Sequence, residues 1–166
     1  MARVATPRSI RLLVLDVDGV LTDGQLYYGA RGEQLKVFHV HDGFGIQALR
    51  RVGVQVAVIS GRRSAAVARR CRELGIREVH QGIEDKAGAF ELLIKRLGIA
   101  ARECACLGDD LPDVPVMERV GAAFAVANAH ASARRAAHRR TQLRGGAGAV
   151  REVCDWILSA HAGAAS

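Results

Sequence analysis

The sequence predicts an α/β fold, a doubly wound parallel sheet in one domain spanning residues 1–166, with a small β-hairpin inserted after the first strand. Three observations carry this reading. Short runs that are apolar at consecutive positions recur along the chain, as strands covered on both faces require. Helical patterns ending in glycine alternate with them, the order expected of parallel strands joined by crossovers. Acidic, hydroxyl and basic groups follow the carboxyl ends of those strands, where open parallel sheets place their ligands.

The first strand is expected in Ile10–Leu15. The stretch GQLYYGARGEQLKVFHVHDG (24–43) breaks the rhythm. It alternates with period two on either side of the Gly-rich turn GARG and reads as a hairpin, with Asp23 starting it. A helix is expected over about 42–52 and a second strand over Val54–Ile59. SAAVARRCRELG (64–75) is a helix with a Gly stop, followed by a strand around Glu78–His80. DKAGAFELLIKRLG (85–98) carries an Asp cap and another Gly stop. Strands follow at Cys104–Leu107 and Ala123–Ala127. ARRAAHRRTQLR (133–144) lacks interleaved aromatic residues and reads as a solvated helical face rather than a nucleic-acid patch. A last helix, roughly Ala149–Ala160, carries Val150, Val153, Cys154 and Ile157 on one face, and residues 159–166 read as a flexible tail.

Apolar content of 49% and charged content of 25% suit a soluble globular protein. The net charge is +7, and 21 of the 24 basic residues are Arg, a balance compatible with anionic partners such as phosphorylated metabolites. Cys71, Cys104, Cys106 and Cys154 have neither metal-site nor disulfide-scaffold spacing, so they read as buried free thiols of a reducing compartment. The apolar run after the polar lead MARVATPRS is too short for a signal segment or a membrane span. A cytoplasmic protein without membrane or nucleic-acid partners is expected.

The chemistry sits at four strand ends. DVDG (16–19) follows the first strand and SGR (60–62) the second. Lys86 opens the helix after the third, and GDDLPD (108–113) follows the fourth. Carboxylates this close repel one another unless a cation joins them or they perform chemistry. The set suits phosphoryl transfer with Asp16 as nucleophile. A divalent cation held by Asp16 and Asp109 would cancel the repulsion between carboxylate and phosphate, and oxygen-only donors select Mg²⁺. Asp18 is placed to protonate the leaving alkoxide and then to activate water. Ser60 would donate a hydrogen bond to a phosphoryl oxygen, and Lys86 would set a positive charge against the transferring group. His39 and His41 read as a polar strand end rather than a metal pair, and Asp110 lies outside the motif.

These motifs, in this order, resemble those of the haloacid dehalogenase superfamily of phosphatases: D-x-D-G at Asp16 and Asp18, then Ser60, Lys86, and G-D-x-x-x-D at Asp109 and Asp113. The resemblance implies a Rossmann-like fold and a Mg²⁺ site built from Asp16, Asp18 through its backbone carbonyl, Asp109 and Asp113. The spacing leaves no room for a cap domain. LDVDGVLTDG (15–24), HDGFGIQAL (41–49), ISGRRS (59–64), LGDDLPDVPVMERVG (107–121) and GGAGAVREVCDWIL (145–158) further resemble a capless branch, the 3-deoxy-D-manno-octulosonate 8-phosphate (Kdo 8-phosphate) phosphatases. That branch implies a role in lipopolysaccharide precursor synthesis and a homotetramer with the hairpin at its centre. A neighbour's Gly-rich stretch, Arg144–Gly148 in this sequence, would help to close each site. Substrate contacts carried over by position fall at Asp18, His39, Val40, His41, Asp42, Gly43, Gln47, Arg62, Arg70 and Lys86. His41 and Gln47 stand where relatives carry Arg, whereas Arg62 and Arg70 match and could fork a sugar-acid carboxylate. A phosphatase of a nine-carbon sugar acid, an enzyme acting on polynucleotide ends and a non-catalytic tetrameric module remain the alternatives.

Overall fold

The computed structural model describes residues 4–161. Its core is a six-stranded sheet in which every pairing is parallel. Strand β1 (Leu12–Leu15) lies between β4 (Gln55–Ser60) and β6 (Cys104–Gly108), with Leu15 in register with Val58 on one side and Leu107 on the other. β5 (Glu78–Gln81) flanks β4, while β7 (Ala122–Ala125) and β8 (Arg139–Arg140) extend the other side, giving the order β5-β4-β1-β6-β7-β8. The chain winds outward from β1 through β4 to β5, then crosses back to β6 and winds the opposite way. The reversal falls between β1 and β6, so their carboxyl ends splay apart into a crevice.

Right-handed crossovers put helices on both faces. On one side, α1 (Val40–Arg51) packs against α6 (Ala149–Leu158), with α2 (Ala65–Glu73) beside α1. On the other side α3 (Lys86–Leu97) packs against the short α4 (Val114–Met117), which in turn meets α5 (Ala131–Ala136). All four residues of β1 are buried, because they are covered from both faces. This explains a run with no polar alternation. The expected end signals act in α3, where Asp85 accepts the Gly88 N–H at 2.9 Å and Gly98 ends the helix at φ +63°.

A separate two-stranded antiparallel hairpin, β2 (Tyr27–Gly29) and β3 (Gly32–Leu35), projects between β1 and α1. It is shorter than the expected 24–43, because the chain already enters α1 at Val40. His39 is the cap of that helix, and its Nδ1 accepts the His41 N–H at 3.2 Å. His39 and His41 are therefore a helix start, not a strand end. The Arg-rich stretch also departs from a continuous helix. The His138 N–H donates to the Ala123 carbonyl and the ring Nδ1 accepts the Ala123 N–H, each at 2.9 Å. This double tie pins the chain to β7, and Arg139–Arg140 become an edge strand. α4 has no signal in the sequence pattern, and α6 ends at Leu158 rather than Ala160. From residue 162 on, the expected tail lies outside the described residues.

All four cysteines are buried free thiols, and burial pushes Cys71 up to about 11 and Cys104 to about 12. Among the described residues no helix is long and apolar enough to cross a membrane. Phe90 on α3 is fully buried in the core. Truncation to Ala is expected to lower the unfolding free energy by about 3–5 kcal/mol in urea titration, with an unchanged slope.

Candidate active site

β1 ends at Leu15, and the Asp16 N–H still reaches the Leu107 carbonyl at 3.3 Å, so the sheet itself holds the Asp16 backbone at the crevice. Ser60 closes β4, Asp109 follows β6, and Lys86 is the first residue of α3. These four meet Asp18, Arg62, Asp110 and Asp113 in one cleft of about 310 Å³. Lys86 Nζ donates to Asp16 Oδ1 and to Asp113 Oδ1, each at 2.7 Å. The three residues are only 7%, 8% and 4% exposed. A lysine at a helix start opposes the helix dipole, and here the two buried carboxylates answer it. Burial works against the Lys86 charge, yet Asp16 and Asp113 raise its pKa above the ordinary lysine value.

Asp113 uses both oxygens, because its Oδ2 also accepts the Asp109 N–H at 3.0 Å and the Asp110 N–H at 3.4 Å. It thereby shapes the loop that carries Asp109. Oxygen atoms of Asp16, Asp109 and Asp113 lie within 4.8 Å of one another. Burial, then repulsion from Asp16 and Asp113, pushes Asp109 up to about 8. Burial and Asp113 likewise raise Asp16, against the opposing pull of Lys86. Carboxylates raised by mutual repulsion are what a hard divalent cation relieves, and an all-oxygen set fits Mg²⁺. The loop is cut to this arrangement. Gly19 has φ +88°, and a side chain there would collide with the Asp109 carboxylate.

The carboxylates of Asp16, Asp109 and Asp113 converge, while Asp18, expected at the metal through its backbone carbonyl, directs its carboxylate to Lys36 and to Arg62, whose Nε lies 3.8 Å away. The expected substrate contacts divide. Asp18, Arg62 and Lys86 line the cleft, whereas His39, Asp42, Gly43 and Arg70 line a separate narrow cleft between α1 and α2. Asp42 is buried and its Oδ1 accepts the Arg151 N–H at 2.8 Å, so this carboxylate ties α1 to α6. Gln47 lies on an outer wall with Arg50, Arg51 and Glu73, and Val40 and His41 are exposed. A single chain therefore does not bring these residues to the carboxylates.

The Gly-rich stretch is packed within its own chain. The Gly146 N–H donates to the Val20 carbonyl at 3.0 Å, and the Gly145 N–H to Asn128 Oδ1 at 3.0 Å. A side chain at Gly145 would strike the Gly19 carbonyl, so Gly145 and Gly146 brace the D-x-D loop of their own chain. Sequence reasoning missed Lys36 and Glu33, which contact Asp18 and Arg62 from the hairpin. The available signal was a lone lysine between the apolar residues of QLKVF.

The raised Asp109 pKa bears on stability. Its folded value exceeds the ordinary 3.8, so the metal-free folded protein holds a proton that the unfolded chain releases. That contribution is complete below about pH 4 and is lost as pH rises toward 8. Asp109→Asn is expected to flatten this part of the pH profile and to raise the metal-free Tm at pH 8 by roughly 3 °C. Mg²⁺ should stabilise the parent protein and not the variant, as read by calorimetry with and without chelator.

The sequence profile of haloacid dehalogenase-like hydrolases matches residues 45–121. The 3-deoxy-D-manno-octulosonate 8-phosphate phosphatase KdsC of Escherichia coli K12 is 49% identical over 158 residues, covering 95% of this chain and 84% of that protein. The crystal structure of 3-deoxy-D-manno-octulosonate 8-phosphate phosphatase from Yersinia pestis superposes with a TM-score of 0.91 at 47% identity, covering 94% of this chain and 84% of that one. The Moraxella catarrhalis enzyme, solved with magnesium, phosphate and KDO, gives 0.90 at 45% identity, with 93% and 88% covered. The parallel sheet, the ordered motifs and these relatives agree, and the chain belongs to the haloacid dehalogenase-like hydrolase family.

Proposed function

We propose that this chain is a Mg²⁺-dependent phosphoric monoester hydrolase that converts Kdo 8-phosphate to Kdo and phosphate through an aspartyl-phosphate on Asp16. The observation that carries the reading is Lys86, buried and bonded at 2.7 Å to both Asp16 and Asp113. The relatives at 45–49% identity, one of them solved with magnesium, phosphate and KDO, supply the substrate class.

Asp16 attacks phosphorus through the carboxylate oxygen not bonded to Lys86. Lys86 orients that carboxylate and favours its ionised form against burial, and its charge opposes the charge gathered on the phosphoryl group. Ser60, whose Oγ accepts the Arg62 N–H at 3.4 Å, keeps its own proton to offer to a phosphoryl oxygen. Asp18 gives a proton to the departing ester oxygen, then takes one from the water that attacks the phospho-aspartate. Asp16 and Asp109 would hold Mg²⁺, with Asp113 fixing the Asp109 loop, and the bound cation would neutralise phosphoryl oxygens that otherwise repel the nucleophile. Arg62, at the mouth, is the cation available to the sugar-acid carboxylate.

The site reading extends to assembly. Leu26, Tyr27, Tyr28, Leu35, Val37, Val40 and Phe44, all in the hairpin and the start of α1, are exposed. Such a patch asks for a cover, and the homotetramer implied by the relatives' branch offers one. In that assembly His39 and Arg70 would serve a neighbour's cleft. The reaction belongs to lipopolysaccharide precursor synthesis in the cytoplasm.

With Mg²⁺ the purified protein is expected to release phosphate from Kdo 8-phosphate, and Asp16→Asn to lower kcat by about four orders of magnitude without unfolding. Equal rates for both proteins would overturn the assignment. Sedimentation should give four chains per particle, and Tyr28→Glu with Val37→Glu should shift the mass toward the single chain.

A further inference from the structure

The hairpin sends one side chain into the cleft wall. Along its outgoing strand Leu35 and Val37 are 60% and 56% exposed, yet the Lys36 side chain between them is only 1% exposed. Its Nζ bonds to Asp18 Oδ1 and lies 3.2 Å from Glu33 Oε2. On the other side Arg62 Nη2 reaches Glu33 Oε2 at 3.3 Å and donates to Tyr28 Oη at 2.8 Å, while Arg62 Nε is 3.8 Å from Asp18 Oδ2. Asp18, Lys36, Glu33 and Arg62 thus form a closed ring of alternating charge. Two members, Asp18 and Arg62, line the cleft; Lys36 and Glu33 stand behind them.

Resting on the phosphatase reading, we propose that Lys36, held by Glu33, is a positioning residue that aims the general acid Asp18. A buried lysine on an otherwise exposed hairpin adds little stability, because desolvation offsets its ion pairs. Its geometric effect is specific. Lys36 occupies Oδ1, whereas Oδ2 has only the longer, 3.8 Å approach of Arg62 Nε, and Asp18 lines the cleft. Oδ2 is then the atom that carries the working proton. In the first half-reaction an Asp16 oxygen bonds to phosphorus as the ester P–O bond breaks. The bonding pair goes to the ester oxygen, which takes the proton from Asp18 Oδ2. In the second, water bonds to phosphorus, its proton passes to Oδ2, and the Asp16 carboxylate leaves. Both steps need Oδ2 within about 3 Å of the reacting oxygen, and a carboxylate free to rotate misses that position. The hairpin, in place of a cap domain, would then reach the chemistry through this lysine.

The test compares leaving groups. Lys36→Met keeps the length and removes the charge, and Lys36→Arg restores it. Lys36→Met is expected to lower kcat on Kdo 8-phosphate about 100-fold, the usual worth of a positioned general acid, with KM within about threefold. The burst of p-nitrophenol from p-nitrophenyl phosphate, whose phenolate departs without a proton, should fall less than about fivefold, and Lys36→Arg should regain most of the loss. The rise in Tm on adding Mg²⁺ should match that of the parent. Three results would overturn the inference: an unchanged kcat for Lys36→Met, equal losses on the two esters, or loss of the Mg²⁺-induced rise together with activity. A parent protein inactive on both esters would instead remove the phosphatase reading itself.

Discussion

Lys86 stands between two buried carboxylates, 2.7 Å from each, and the site depends on that arrangement. Without the ammonium, Asp16 and Asp113 would be uncompensated charges at 8% and 4% exposure, a costly state for two carboxylates. With it, burial and Asp113 still raise Asp16, but Lys86 pulls the other way, toward the carboxylate that a nucleophile must be. Asp113 is at the same time fixed against the backbone N–H groups of Asp109 and Asp110. Asp109, raised by burial and by Asp16 and Asp113, is where a divalent cation would take the place of the proton. One lysine therefore orients both the nucleophile Asp16 and the Asp113 that shapes the Asp109 loop.

The fold delivers these groups through its reversal of winding. β1 and β6 are neighbours in space but far apart in sequence, and the chain leaves their ends toward opposite sides. Their two loops can thus hold Asp16 and Asp109 against each other without crossing. Glycines make the approach close enough. Gly19 leaves room for the Asp109 carboxylate, and Gly145 and Gly146 lie backbone to backbone on the loop from Gly19 to Asp23. A side chain at any of the three would move the loop that carries Asp18. The third acid of that loop, Asp23, has a local part only, since its oxygens accept from Gln25 at 2.9 and 2.8 Å.

Much of this was legible in the sequence. Strand ends follow from where apolar runs stop, so the places of Asp16, Ser60, Lys86 and Asp109 could be read directly, and with them the cleft. The remaining features depend on contacts that no local pattern records. His39 looks like an alternating strand residue until its ring caps a helix, a role set by where the chain leaves the hairpin. Arg139 and Arg140 become a strand because the backbone and ring of His138 bind Ala123, fifteen residues earlier. Asp42, within a family-like motif, turns to the start of α6 instead of the cleft. Lys36 was hidden by the inverted alternation at the hairpin's exit, where Leu35 and Val37 are exposed while Lys36 between them turns inward to Asp18.

A nucleophilic Asp16 requires phosphorus to undergo two in-line displacements, one by the carboxylate and one by water. The configuration at phosphorus records the number of displacements. With the phosphorothioate analogue of Kdo 8-phosphate, made chiral at phosphorus with ¹⁸O and hydrolysed in ¹⁷O water, the released thiophosphate should retain its configuration. Inversion would mean that water attacks the ester directly, and would contradict an aspartyl-phosphate on Asp16.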